Sequence, residues 1–142
     1  MLTMDQDIEH LVRRFYDEIW NSKQFGVAEE VLRPDLSFRG SLGDELVGIR
    51  GFLGYVEGIH GSLSDYRCEV HTLVAAENRA AARMVFSGRH TGEFLGVEPT
   101  GRQISWQGAA FFTVRNDKIG AIWVLGDLVS LEQQMGTAGR QT

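Results

Sequence analysis

The sequence predicts an α+β domain in which helices come first and an antiparallel sheet follows. Two observations carry this reading. Up to Gly61 the apolar residues recur at helical spacing, and after it they alternate with period two in long runs broken by tight turns. Helices followed by a series of hairpins make a curved sheet with a helical layer folded across one face. Such a sheet encloses a cone, and cones of this kind often hold a ligand.

The first helix covers "TMDQDIEHLVRRFYDEIW", where Ile8, Leu11, Val12, Phe15 and Ile19 form one apolar stripe. Thr3 and Gln6 at its start fit a capping box. A shorter helix, Phe25 to Leu32, ends before Pro34, and "LSFRG" reads as a short strand. The third helix, "GIRGFLGYVEGIHG", carries Ile49, Phe52, Leu53, Val56 and Ile59 on one face despite its glycines. "SDYRCEVHTLVAA" is the first long strand, and Glu77-Asn78-Arg79 turns it back. In the returning "AAARMVFSGRH", Met84, Phe86 and His90 share a phase. After a glycine-containing loop, "QISWQGAAFFTV" aligns Ile104, Trp106, Ala110, Phe112 and Val114. Asn116-Asp117 suits a hairpin turn, and "KIGAIWVLGD" closes the sheet. The helix "LVSLEQQMG" stops at Gly136, and "TAGRQT" is expected to fray. The expected fold is a cone-shaped barrel: three N-terminal helices over a four-stranded antiparallel meander, a short strand near Phe38 at one edge, and a short C-terminal helix.

With 142 residues the chain makes one domain, residues 1–142, without repeats or linkers. A hydrophobic share of 43% and a net charge of -5 describe an ordinary globular protein. No basic cluster exceeds Arg13-Arg14, which excludes a nucleic-acid footprint. No signal peptide and no membrane-length apolar run are present, and Cys68 stands alone, so a reducing cytoplasm is expected. There is no His-x-His, no HExxH and no cysteine pair, so neither a metal nor another cofactor is expected. The last two strands are apolar on both faces, with Ala109 and Phe111 opposing Ala110 and Phe112. That pattern predicts an outer face covered by another subunit, in a homodimer or homotetramer.

Asp127 is the first candidate for chemistry. It ends a strand in phase with Trp123 and Leu125, where apolar surroundings would favour a general base. It also stands where an N-cap for the last helix is needed. His90, in phase with Met84 and Phe86, is either a hydrogen-bond donor to an oxyanion or a strand-end histidine satisfied locally. Phe15, Phe38, Phe52, Met84, Phe86, Trp106 and Trp123 are the candidate walls for a flat apolar ligand. The loop between His90 and Gln103 reads as the rim of that pocket or as a plain connector; Gly92, Gly96 and Gly101 let it turn, and Phe94 or Leu95 could fold over the mouth.

"RHTGEFLGVEPTGRQISWQG" resembles the G-x-H-x-G-x-F-x-G-x-x-P-T-G-[RK] stretch of the SnoaL-like polyketide cyclases, within the nuclear transport factor 2-like superfamily. "DKIGAIWVLGDLVSLEQQMG" is similar to that family's closing G-K-I-x-E-x-W-x-x-x-D segment, with Asp127 at its aspartate. The central helix and Asp65, and the first two helices in "FYDEIWNSKQFGVAEEVLRPDLSFRG", match in order and spacing. The resemblance implies closure of a ring of a polycyclic aromatic polyketide by cofactor-free intramolecular aldol condensation. It implies Asp127 as acid/base, with His90 at the loop histidine. The family also holds cofactor-independent hydroxylases and binding domains for small apolar ligands, so those alternatives stay open. Two departures stand out: Asn116-Asp117 replaces Asp-Gly, and Ala121 replaces a glutamate two residues before the tryptophan.

Overall fold

A computed structural model of the chain describes residues 3–136; the expected frayed tail, residues 137–142, lies outside them. Helix α1 (Met4–Arg14) starts at Thr3, whose hydroxyl accepts from the Gln6 amide while the Gln6 side chain accepts from the Thr3 amide. The capping box read from the sequence is therefore formed. At Phe15 the α-helix widens into a π-helical segment, Phe15–Trp20, closed by the Asn21 amide donating to the Tyr16 carbonyl at 2.8 Å. The wider turn lets neighbouring residues share a face, so Phe15, Tyr16, Ile19 and Trp20 are all buried.

The second helix is smaller than expected: a 3-10 turn, Phe25–Val27, then α2 (Ala28–Val31). Strand β1 (Leu32–Arg39) begins earlier than "LSFRG" and runs through Pro34. Proline donates no ladder hydrogen bond, and the pairing register shifts between Leu32 and Ser37 around it. Next come β2 (Glu45–Val47), which the sequence reading missed, and α3 (Ile49–Ser62). Strands β3 (Leu63–Ala76), β4 (Arg79–His90), β5 (Gln103–Arg115) and β6 (Lys118–Gly126) form the expected antiparallel meander, and α4 (Leu128–Gln134) ends the described fold.

The sheet has six strands in the order β2-β1-β6-β5-β4-β3. Strand β1 was expected at an edge but is not; it lies between β6, which it pairs in parallel, and the edge strand β2. The sheet is therefore mixed and open. Irregularities interrupt the β1–β6, β3–β4 and β5–β6 ladders, and such bulges bend strands. In β6 the irregularity falls at Gly120, where a Cβ would strike the Arg115 guanidinium. It changes the phase of the strand. Ile119, Ile122 and Val124 point into the core, whereas Trp123 and Leu125 face out, 45% and 53% exposed.

The helical layer is fastened to the sheet through the end of the π-helix. The Asn21 side-chain amide donates to the Cys68 carbonyl at 2.9 Å, and its oxygen accepts from the Cys68 amide at 2.8 Å. Asn21 thus serves β3 as a one-residue strand partner. From the other side, His60 on α3 donates Nε2–H to the Trp20 carbonyl at 2.7 Å. Burial lowers the pKa of this imidazole and favours its neutral form. Replacing Asn21 by Ala removes both bonds and leaves two backbone polar groups of the edge strand β3 without these partners. The expected cost is about 2 kcal/mol in urea unfolding, with Asn21→Asp, which keeps the acceptor, losing less. An unchanged midpoint for Asn21→Ala would show that this contact does not hold the layers together.

Candidate functional site

The interior between helices and sheet is walled with aromatic rings. The π-helix contributes Phe15, Tyr16 and Trp20; β1 contributes Phe38; α3 contributes Tyr55 and Ile59. From the sheet come Tyr66, Phe86, Trp106 and Val124, one each from β3 to β6, and the turn after β1 adds Ser41 and Leu42. The rings pack edge to face and stacked, with Phe15 and Phe52 centroids 5.4 Å apart and Phe38 and Phe52 at 4.8 Å. What remains is a cavity of about 20 Å³. That is room for about one water molecule. The broad cone suggested by the fold class is, in this conformation, almost filled by its own side chains.

A groove of about 260 Å³ lies outside it, bordered by Asp44, Ser62, Glu93, Phe94 and Leu95. Leu42, Tyr55 and Ile59 line both spaces, so they form the partition between them. The seal is continued by Ser41. Trp106 Nε1–H points at the Ser41 hydroxyl across 3.4 Å, and Gly126 sits so close that a Cβ would be 2.9 Å from the Ser41 Cβ and 3.2 Å from Trp106. Residues 40–44 therefore fill the gap between α3 and the end of β6. Burial, with Asp44 nearby, raises the pKa of Tyr55 and keeps its phenol protonated at this partition.

The sequence-derived residues divide into groups. Phe15, Phe38, Phe86 and Trp106 line the cavity. Phe52 stands behind them against Phe15, and Met84 is buried in the core without reaching the cavity. Trp123 must be corrected: it lies on the outer face, beside Phe111 at 6.0 Å and beneath the Arg39 guanidinium at 5.2 Å. The bulge at Gly120 breaks the strict alternation along β6 and turns Trp123 to the outer face.

His90 is fully buried and wholly engaged by the loop that follows it. The Thr100 amide donates to Nδ1 at 3.2 Å with the Thr100 hydroxyl 3.0 Å away, and Nε2–H donates to the Val97 carbonyl at 3.2 Å. The acceptor role of Nδ1 fixes the tautomer. Phe94 stands between His90 and the cavity wall, its ring 6.3 Å from the imidazole and 6.0 Å from Trp106. His90 thus anchors the loop, and Phe94 and Leu95 border the groove; Phe94 is buried and Leu95 exposed.

Asp127 is exposed, and its carboxylate accepts from the Ser130 amide at 3.1 Å as the N-cap of α4. The apolar enclosure expected around it is not formed. It nevertheless follows directly on Gly126, which touches Ser41 and Trp106 on the cavity wall.

Among the aromatic rings of the cavity, Trp20, Tyr55 and Tyr66 escaped the sequence reading, as did the smaller lining residues Ser41, Leu42, Ile59 and Val124. Tyr55 carried a usable signal, being three residues after Phe52 and four before Ile59 on α3. Trp20 reaches the cavity only because the helix widens. Cys68, beside Tyr66 on β3, is held in its thiol form by burial and Asp17. Among the described residues no group of three or more His, Cys, Asp or Glu side chains could hold a metal ion. No described helix is long and apolar enough to cross a membrane.

A family profile described as SnoaL-like polyketide cyclase matches residues 10–135. Solved structures share the fold across nearly the whole chain. IdmH, a candidate polyketide cyclase from Streptomyces antibioticus, is 27% identical, covers 91% of this chain and 98% of its own, and superposes with a TM-score of 0.79. AclR, a candidate hydroxylase from Streptomyces galilaeus, is 25% identical, covers 92% and 85%, and has a TM-score of 0.77. A candidate SnoaL-like polyketide cyclase from Jannaschia sp. CCS1, 17% identical and covering 97% and 96%, shares the fold with a TM-score of 0.86. No curated protein matches the chain.

Proposed function

Because the chain belongs to the SnoaL-like polyketide cyclase family, we propose that it closes a ring of a polycyclic aromatic polyketide by cofactor-free intramolecular aldol condensation. The observation that carries this reading is the aromatic cavity, with Asp127 next to Gly126, which packs behind the wall residues Ser41 and Trp106. In the reaction the Asp127 carboxylate takes a proton from carbon α to a carbonyl, and the C–H electron pair passes into the carbonyl as an enolate. The enolate carbon then forms a C–C bond to a second carbonyl of the same molecule. The resulting alkoxide recovers the proton from Asp127, so no oxidant or reductant is consumed.

A ring system cannot enter a cavity of about 20 Å³, so substrate must displace part of the wall. The turn at Ser41 and Leu42 is the part whose movement joins the cavity to the outer groove on one side and to the Gly126–Asp127 corner on the other. Bound rings would then supply the apolar surroundings that Asp127 lacks here. His90 supports this site at one remove, by shaping the loop that carries Phe94.

One observation favours a second reading. Asp127 already has a complete structural role as a cap, which suits a protein that binds an apolar ligand without turning it over. An anthracycline-precursor methyl ester separates the readings when incubated with wild type and Asp127→Asn. Asparagine caps helices as well as aspartate does, so the variant keeps the fold. The aldol reading expects a ring-closed product, a drop of about 10²- to 10⁴-fold in the variant, and retained ligand affinity. Equal turnover by both proteins removes Asp127 from the mechanism. An oxygenated product points to a hydroxylase, and binding without turnover to the binding protein.

The outer face supports a further part of the proposal, assembly into a homodimer or homotetramer. Phe111, 54% exposed, lies directly opposite Trp123 in the β5–β6 ladder, with Leu125 beside them. Exposed apolar clusters of this kind mark contact surfaces. Sedimentation equilibrium at micromolar concentration is expected to give a dimer or tetramer, which Trp123→Lys dissociates; a wild-type monomer would refute this assembly.

A further inference from the structure

Two buried tyrosines give the cavity a polar end that the proposed reaction has not used. Tyr16 and Tyr66 are 2% and 6% exposed, and both line the cavity. Neither hydroxyl makes a hydrogen bond to a described group of the protein, although every fully enclosed polar side-chain atom among the described residues has a partner. The hydroxyls are therefore not fully enclosed, and the space that both residues line is the cavity. We propose that Tyr16 and Tyr66 form a pair of hydrogen-bond donors that receives the carbonyl or enolate oxygen of a planar aromatic ligand.

Three further features agree with this. Burial pushes both phenols well above their ordinary pKa, so both retain the proton that a donor needs. Both residues also flank Trp20: Tyr66 packs on its ring at 5.4 Å, and Tyr16 stands in the same π-helical segment. Finally, Tyr16 sits in the first turn of the π-helix, a conformation rare in proteins and frequent at functional sites. An unpaired buried hydroxyl is unfavourable to the folded protein alone. An oxygen arriving with a ligand would satisfy both, in surroundings where a hydrogen bond is stronger than in water.

The ligand class follows from the walls. Rings are held by Phe15, Phe86 and Trp106, and one oxygen on the ring edge meets the two phenols. As stabilisers of an enolate, the tyrosines rest on the aldol reading above; as receivers of a ligand oxygen, they do not.

The test therefore measures binding, not turnover. Equilibrium dialysis compares 2-naphthol with 2-methylnaphthalene, which has the same shape but no oxygen, on wild type, Tyr16→Phe and Tyr66→Phe. The expected result is preference of the wild type for 2-naphthol. Each variant should bind 2-naphthol about three- to tenfold more weakly and 2-methylnaphthalene as before. Neither substitution should lower the unfolding midpoint, because no protein hydrogen bond is lost. Asp127→Asn should bind 2-naphthol like wild type, which keeps this result independent of the catalytic assignment. The proposal is overturned if the wild type binds neither compound or does not prefer 2-naphthol. Equal effects of the substitutions on both compounds would make the tyrosines mere shape, and marked destabilisation of either variant would make its hydroxyl structural; both outcomes overturn it as well.

Discussion

The two hydrogen bonds between the Asn21 side chain and the Cys68 backbone set the depth at which the helical layer meets the sheet. Asn21 follows the π-helix, so fastening it to β3 fixes where the widened turn presents Phe15, Tyr16 and Trp20. The His60 bond to the Trp20 carbonyl fastens the same point to α3. One short segment is thus held from two sides, and most of the cavity wall follows from it. Burial of the rings supplies the bulk of the stabilisation, about 2–3 kcal/mol for each large side chain. Burial alone is not directional, however, and the clamp is what selects a single arrangement.

Much of the fold was legible because its signals are periodic. The change of period after Gly61 located the meander, and the Asn116-Asp117 turn takes positive φ at both residues, as a tight hairpin turn requires. What was hidden depends on breaks in periodicity. The π-helix shifts Tyr16 and Trp20 onto a face that α-helical spacing does not predict. The irregularity at Gly120 breaks the strict alternation on which the placing of Trp123 inside depended, and Trp123 is outside. Strand β2 has only three residues, too few to show alternation. The parallel pairing of β1 with β6 joins segments far apart in sequence, which no local pattern records.

The same distinction separates the two polar candidates. Sequence brought His90 to the inner phase correctly, but its hydrogen-bond capacity is consumed by Thr100 and Val97, so it stabilises a loop. Asp127 combines a cap, visible in its 3.1 Å bond to Ser130, with a position at the corner of the cavity wall. The proposed base role is compatible with the cap, since a carboxylate has two oxygens and the cap uses one. Which surroundings Asp127 experiences depends on whether Ser41 and Leu42 hold their place.

Everything about function then turns on where an aromatic ligand goes. The direct measurement is a crystal structure of the protein bound to 1-hydroxyanthraquinone. The rings are expected between Phe15, Phe86 and Trp106, with residues 40–44 displaced outward and α3 still joined to Trp20 through His60. Rings stacked instead on Trp123 and Phe111, with the interior closed as it is now, would contradict this placement.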